Sequence, residues 1–260
     1  MSDAVAPDLH PARRVRAYWN AHIHDLAITR HEVGSPGFFA DLDEYHFEKL
    51  HHLRRLVEFD GPEGRRVLDV GCGTGVDLVH FARGGAAAIG IDVSEAAIRL
   101  AAANLGLQRV AAHLVVGDGE ALPFGDATFD YVFAHGVVQY TADDRRLVEE
   151  CRRMLKPGGK AFVQVYNRVS WLSALSRVMR VDLEHADAPV LRTYTHASFR
   201  RLLDGFSRVH LVTERFPVKS RLHGGWKGAL FNGLFVGAFN ALPRRWVSRF
   251  GWHLIAICAR

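Results

Sequence analysis

Cysteine is scarce in this chain: three residues, Cys72, Cys151 and Cys258, lie far apart and form no CxxC pair. That excludes a disulfide framework or a zinc ribbon and suits a reducing cytoplasm, which is the expected location. Long apolar runs are also missing. The opening residues, MSDAVAPDLHPARR, contain no apolar core of signal-peptide length. The most apolar stretch, GALFNGLFVGAFNALP at 228–243, has about 14 apolar residues, too few to span a bilayer. Acid is scarce at the C-terminal end, where Arg208 to Arg260 hold nine Lys or Arg and a single acid, Glu214. The total charge of +5 therefore belongs to the tail, and a basic tail can draw in nucleic acid, an anionic substrate or an acidic membrane surface. No recognised RNA module interleaves base-stacking aromatics with those cations, so nucleic acid is a minor expectation.

With 260 residues, 48% hydrophobic and 23% charged, the chain can bury one α/β core with appendages. Its organising stretch is VLDVGCGTG at 67–75. A short apolar run feeds a turn with Gly71, Gly73 and Gly75, and helix-like VDLVHF follows. Glycine lets backbone approach a ligand, and the helix N-terminus adds unpaired N–H groups, so the stretch predicts a nucleotide-sized cradle. Asp69 stands two residues before the first glycine, and Asp92 closes the next apolar run, where an acid accepts from ribose hydroxyls. A dinucleotide turn is usually spaced GxGxxG. Here the spacing is GxGxG, and the acid upstream would repel a pyrophosphate but suit a cationic ligand with an amino group.

Apolar runs near 66–70, 86–91, 111–116, 128–133 and 160–166 alternate with helical patterns, which implies a parallel sheet covered on both faces. Ligands of such sheets sit at the carboxyl ends of the strands. Further strands are expected near 209–214 and 253–259, and a helix near 196–203. Ahead of the sheet, a helical pattern begins near Ala12 and is broken by GSPG at 34–37, and a second is expected from about Asp43 to Phe59. The histidines here include His22, His24, His31, His46, His51 and His52. His22-x-His24 and His51-His52 lack the i, i+4 spacing of a helical metal pair, so solvated helix faces are expected and no metal.

In the order VLDVGCGTG, GIDVSEAAI (90–98), GDGEALPF (117–124), FDYVFAHGVVQY (129–140) and LKPGGK (155–160), residues 65–165 resemble the class I S-adenosylmethionine-dependent methyltransferases. Within that family the likeness is to the small-molecule, type 11 or ubiquinone/menaquinone-like group. The resemblance implies a Rossmann-like, doubly wound, seven-stranded sheet. It implies a helical lid over residues 1–60, a cofactor domain over 61–260, and acceptor-pocket insertions at 168–195 and 216–250. The implied cofactor is S-adenosylmethionine, leaving as S-adenosylhomocysteine. Asp69 would meet its ammonium, Gly71, Cys72, Gly73 and Gly75 would line its methionine part, and Asp92 with Val93 would hold the ribose. Asp118 and Gly119 would hold the adenine.

His135, just past the fourth strand, is the implied base or positioning group and borders the cofactor, with Tyr166 as a second catalytic candidate. Many relatives carry His-His where this chain has Gln139-Tyr140. Substrate contacts are expected from Tyr45, Gln139, Tyr140, Tyr166, Asn167 and Tyr194, with Arg192 a weaker candidate. Tyr18, Trp19, Phe38, Phe39 and Tyr45 are lid aromatics or packing residues. The expected reaction is methyl transfer to a small apolar or aromatic molecule. The alternatives are a membrane lipid or quinone-like acceptor, with peripheral membrane contact through 228–243, and a cofactor-binding partner protein that transfers nothing.

Overall fold

A computed structural model describes residues 10–24, 26–61, 63–179, 185–218, 229 and 231–260. Lys219, Arg221 and Lys227, which flank the apolar insertion, lie outside the described residues. Seven strands form one sheet: β1 (Arg66–Val70), β2 (Ala87–Asp92), β3 (His113–Val116), β4 (Phe129–Ala134), β5 (Leu155–Tyr166), β6 (Arg208–Glu214) and β7 (His253–Ala259). Their order is β3-β2-β1-β4-β5-β7-β6. The first five run parallel, and β7 is antiparallel to both β5 and β6. The order reverses between β1 and β4, and the crevice beyond their carboxyl ends is where such sheets take ligands.

Helices α1 (Pro11–Ala21), α2 (Pro36–Lys49) and α3 (Leu53–Leu56) precede the sheet, while α4 (Val76–Arg83), α5 (Glu95–Gln108), α6 (Asp144–Met154), α7 (Trp171–Met179) and α8 (His196–Leu202) follow strands within it. The GSPG segment does not break a helix as its composition suggests. Ser35 accepts from the Phe38 N–H and Pro36 occupies the first turn, so the segment starts α2. A serine cap followed by proline supplies a fixed φ and consumes an N–H that would otherwise be unpaired.

Both sheet faces are packed. One carries Leu68, Val132, Val163 and Ala256 against α6 and α8; the other carries Val67, Tyr131, Phe133, Phe162 and Ile255 against α4 and the segment 47–57. His52 is 1% exposed in the second layer, so it is a core residue and not a solvated one. Phe38 and Phe39 are buried and pack with Leu42 in a cluster of their own. In the second insertion, Phe235 and Phe239 form a row that turns inward against Trp171 and Phe216, while Leu242, Trp246 and Phe250 stay exposed. No described helix is long and apolar enough to cross a membrane.

An ion pair on α6 secures the segment after β3. Glu150 accepts from the Leu122 N–H at 2.8 Å and pairs with Arg153 at 2.7 Å, and Arg153 also donates to the Leu122 and Phe124 carbonyls. The Arg153 hydrogen bond holds the Glu150 carboxyl below its ordinary range, outweighing burial. A depressed carboxylate contributes stability above its unfolded value, about 4.5, which is lost as pH falls through the folded value. Melting temperature is therefore expected to drop more steeply below pH 4.5 in the natural chain than in Glu150→Gln. Parallel pH profiles of the two proteins would remove this assignment.

Candidate functional site

The turn after β1 wraps around the end of β2. Gly71 and Cys72 donate to the Ile91 carbonyl at 2.7 and 3.1 Å, and Gly73 donates to Asp92 Oδ2 at 2.9 Å. Asp92 Oδ1 accepts from the Ser94 N–H at 2.8 Å, so this one carboxylate fastens the glycine turn to the start of α5. Gly71, Gly73 and Gly75 all have positive φ. Each does something different with its missing Cβ. At Gly73 a Cβ would meet nothing within 4 Å, which leaves open space on the pocket side. At Gly71 it would press on Val137 at 3.0 Å, and at Gly75 on Ala101 at 3.1 Å. Gly75 therefore serves the packing of α4 on α5 and does not line the pocket.

A cavity of about 250 Å³ opens over this turn. At one end it is lined by Gly71, Cys72, Gly73, Asp92, Val93, Asp118 and Gly119. At the other lie Trp19, His46, Asp77, His135, Tyr140, Gln164, Tyr166, Arg215 and His253. Asp118 Oδ1 accepts from the Glu120 N–H at 2.9 Å, so it shapes its own turn as well as facing the cavity. Asp69 sits under the turn, 3% exposed, off the pocket wall. Burial and the nearby charges of Asp77 and Asp92 push its carboxyl well above the ordinary range, and its Oδ2 has no partner among the described residues. Burial also raises Asp92 despite its backbone donors. Asp92 and Asp118 line this end of the cavity and favour a ligand with cationic and donor groups, and the open face of Gly73 leaves it room. S-adenosylmethionine, with its ammonium and sulfonium, fits this donor set. Cys72 is buried and its thiol is pushed well up by burial and by Asp69, which makes it an inert wall and not a nucleophile.

The other end is an aromatic and histidine chamber. Trp19 of α1 meets the Tyr140 ring at 5.1 Å, edge-on, and Tyr140 donates to the Tyr166 hydroxyl at 3.1 Å. Gln164 on β5 accepts from the Gly136 N–H at 2.9 Å, while its buried Nε2 has no partner among the described residues. The same is true of His135 Nε2. Burial holds the His135 ring down to about 3, so it is a neutral hydrogen-bonding group and a weak base.

Several expected substrate contacts lie elsewhere. Asn167 is fully buried and spends its amide on the carbonyls of Val169, Arg249 and Gly251, clamping two loops together. Tyr194 donates to Asp144 at 2.7 Å, and Arg192 donates to the Thr141 and Ala142 carbonyls. The Gln139 side chain is buried off the cavity with neither amide atom paired among the described residues. Tyr45 lies under the Lys49 ammonium, off the cavity, and its neighbour His46 faces in. Tyr18 also turns away, donating to Asp187 at 2.9 Å. His46, Asp77, Gln164, Arg215 and His253 are cavity residues that sequence reading missed. One available signal was the inward alternation of β5, which puts Gln164 and Tyr166 on one face.

Residues 68–163 match the family described as "Methyltransferase domain". A ubiquinone biosynthesis O-methyltransferase of Rhizobium johnstonii is 37% identical over 114 residues, which is 44% of this chain and 46% of that protein. The biotin biosynthesis bifunctional protein BioHC of Cellvibrio japonicus is 37% identical over 98 residues, 38% of this chain and 19% of that one. The chain thus matches about half the length, or less, of these curated relatives. Among solved structures, a SAM-dependent methyltransferase from Aquifex aeolicus aligns with TM-score 0.57 at 18% identity, over 86% of this chain and 98% of that one. One from Archaeoglobus fulgidus aligns with TM-score 0.54 at 19% identity, over 84% and 98%.

Proposed function

We propose, from the premise that this chain carries a class I S-adenosylmethionine-dependent methyltransferase domain of the type 11 group, that it moves the cofactor's methyl group to a small apolar or aromatic acceptor bearing a polar atom. The observation that carries this reading is the cavity joining the glycine turn to a chamber of aromatic rings with three polar atoms that have no partner among the described residues, Gln164 Nε2, His135 Nε2 and His253 Nδ1. Bound S-adenosylmethionine supplies an electrophilic methyl on a sulfonium. Asp92 and Asp118 hold the ribose and adenine, and the open face of Gly73 admits the methionine part. Trp19, Tyr140 and Tyr166 exclude water and orient a flat acceptor. Gln164 donates to the acceptor's polar atom and His135 positions it; a ring so weakly basic does not carry the reaction by proton abstraction alone.

His135→Ala is expected to lower kcat about 10²-fold or more while leaving S-adenosylhomocysteine affinity within about 3-fold. Equal losses in both would make His135 a cofactor contact. The first measurement is transfer of labelled methyl to a fractionated small-molecule and lipid extract. Label in an organic-soluble product supports the reading, and tight cofactor binding with no labelled product in any fraction supports a non-catalytic partner protein.

The N-terminal segment to residue 60 acts as the lid on a cofactor domain of residues 61–260, with Trp19 of α1 and His46 of α2 reaching the cavity. A quinone-like or lipid acceptor is the second reading, favoured by Leu242, Trp246 and Phe250, exposed beside Arg245 and Arg249. Such a surface gives a cytoplasmic enzyme peripheral contact with acidic lipid. Flotation with anionic liposomes that is lost in Trp246→Ser supports it; a natural chain that never floats removes it.

A further inference from the structure

We infer that His46, Asp77 and His135 form a binding site for one first-row divalent transition cation on the wall of the acceptor chamber. The three residues come from α2, the first turn of α4 and the end of β4, and their donor atoms all lie within 4.8 Å of one another. Nothing in the spacing 46, 77 and 135 announces this; the fold brings them together. His46 Nε2 and Asp77 Oδ1 are 3.1 Å apart, close to the separation that two donors take across a tetrahedral ion with bonds of about 2.0–2.2 Å. The widest separation need shrink by no more than about 1.5 Å, which rotation of the imidazole rings supplies. The His135 Nε2 is buried with no partner among the described residues, and a cation gives it one.

The surroundings resemble an open metal site more than a closed structural one. Three protein ligands leave a fourth position, and all three line the cavity, so that position faces the acceptor. The His253 ring stands 5.8 Å from that of His135 on the same cavity wall, with its own Nε2 3.2 Å from Arg215 Nη1. Two imidazoles and one carboxylate select zinc, cobalt, nickel, iron or manganese over calcium or magnesium, which take oxygen ligands.

The role of the ion rests on the methyl-transfer reading. An acceptor hydroxyl bound at the open position becomes more acidic and releases its proton to water. An oxygen lone pair then forms the new bond to the methyl carbon, and the carbon–sulfur pair returns to sulfur, which leaves as a neutral thioether. With the ion bound, His135 acts on the acceptor through it and not by a direct hydrogen bond, and the site points to O-methylation.

The test separates the site from the reaction. The full chain is stripped with a chelator and titrated with cobalt(II) alone, without cofactor, while visible absorption is recorded. One equivalent giving ligand-field bands of tetrahedral or five-coordinate cobalt is expected. Asp77→Asn and His135→Gln are expected to weaken binding more than 100-fold, beyond the roughly 10- to 100-fold that loss of a supporting residue brings. Absence of these bands in the natural chain overturns the proposal. So does binding unchanged in His135→Gln, because the ion would then sit elsewhere. Cobalt bound as expected, with no methyl transfer to any acceptor, leaves the site standing and counts against the proposed reaction.

Discussion

Phe133→Ala is expected to destabilise the protein by about 3–5 kcal/mol, a large part of the roughly 5–15 kcal/mol that holds a domain folded. Phe133 is 1% exposed near the carboxyl end of β4, stacked on Phe162 at 5.0 Å and edge-on to Phe81 at 5.4 Å. All three sit in the layer between the sheet and α4, where strands on both sides leave little freedom to collapse around a void. The same ring lies 5.8 Å from that of His135 and nearly parallel to it, so the packing that stabilises the fold also aims the chamber's histidine. Urea unfolding of the variant and the natural chain measures the first effect. A loss below about 1 kcal/mol would mean that the layer repacks, and the claim that it fixes His135 would fall with it.

Asp92→Ala is expected to weaken S-adenosylhomocysteine binding by about 1–3 kcal/mol, or roughly 5- to 150-fold in Kd, for loss of hydrogen bonds to a charged acceptor. The effect has two sources. The carboxylate faces the cavity where the ribose would lie, and it also holds the N–H groups of Gly73 and Ser94, so its removal loosens the turn itself. Asp92→Asn keeps an acceptor for one of those groups and is expected to lose less. Calorimetry separates the cases. Unchanged affinity in the alanine variant refutes the ribose role, and equal losses in alanine and asparagine would assign the effect to charge and not to the turn.

The strands were legible in the sequence to within about two residues over most of the sheet because buried parallel strands are short apolar runs bounded by turn residues, and that signal is local. The start of β5 escaped, since residues 156–159 are polar or glycine: Leu155 pairs with Phe129, and pairing resumes only at Lys160 after an irregularity. That one end of the cavity would be lined by Gly71, Gly73, Asp92 and Asp118 was legible for the same reason: all sit at strand ends, and sequence position fixes which edge they reach. It does not fix which way a side chain turns. Asn167 and Tyr194 reach that edge and then satisfy buried backbone and carboxylate groups there, because an unpaired amide or phenol in the interior is unfavourable. On α2 one residue step rotates a side chain by about 100°, which is the difference between Tyr45 outside and His46 within. In the chamber, Trp19, His135, Tyr140 and Tyr166 were legible from their places in the chain, whereas His46, Asp77, Arg215 and His253 come from distant segments and carry no local pattern.

Helix α1 covers the cavity while burying only Val15, a side chain worth about 1.5–3 kcal/mol. Among its other contacts, Ser94 and Ala96 donate to Asn20 at 3.4 Å, Tyr18 reaches Asp187 at the surface, and Trp19 meets Tyr140 edge-on. A cover so lightly held is thermally open a few per cent of the time or less, on the microsecond to millisecond scale of such motions. On the methyl-transfer reading the spent thioether leaves through that opening, and its release is expected to limit the cycle. Steady-state turnover should fall with solvent viscosity while the first turnover, monitored by rapid mixing, should not.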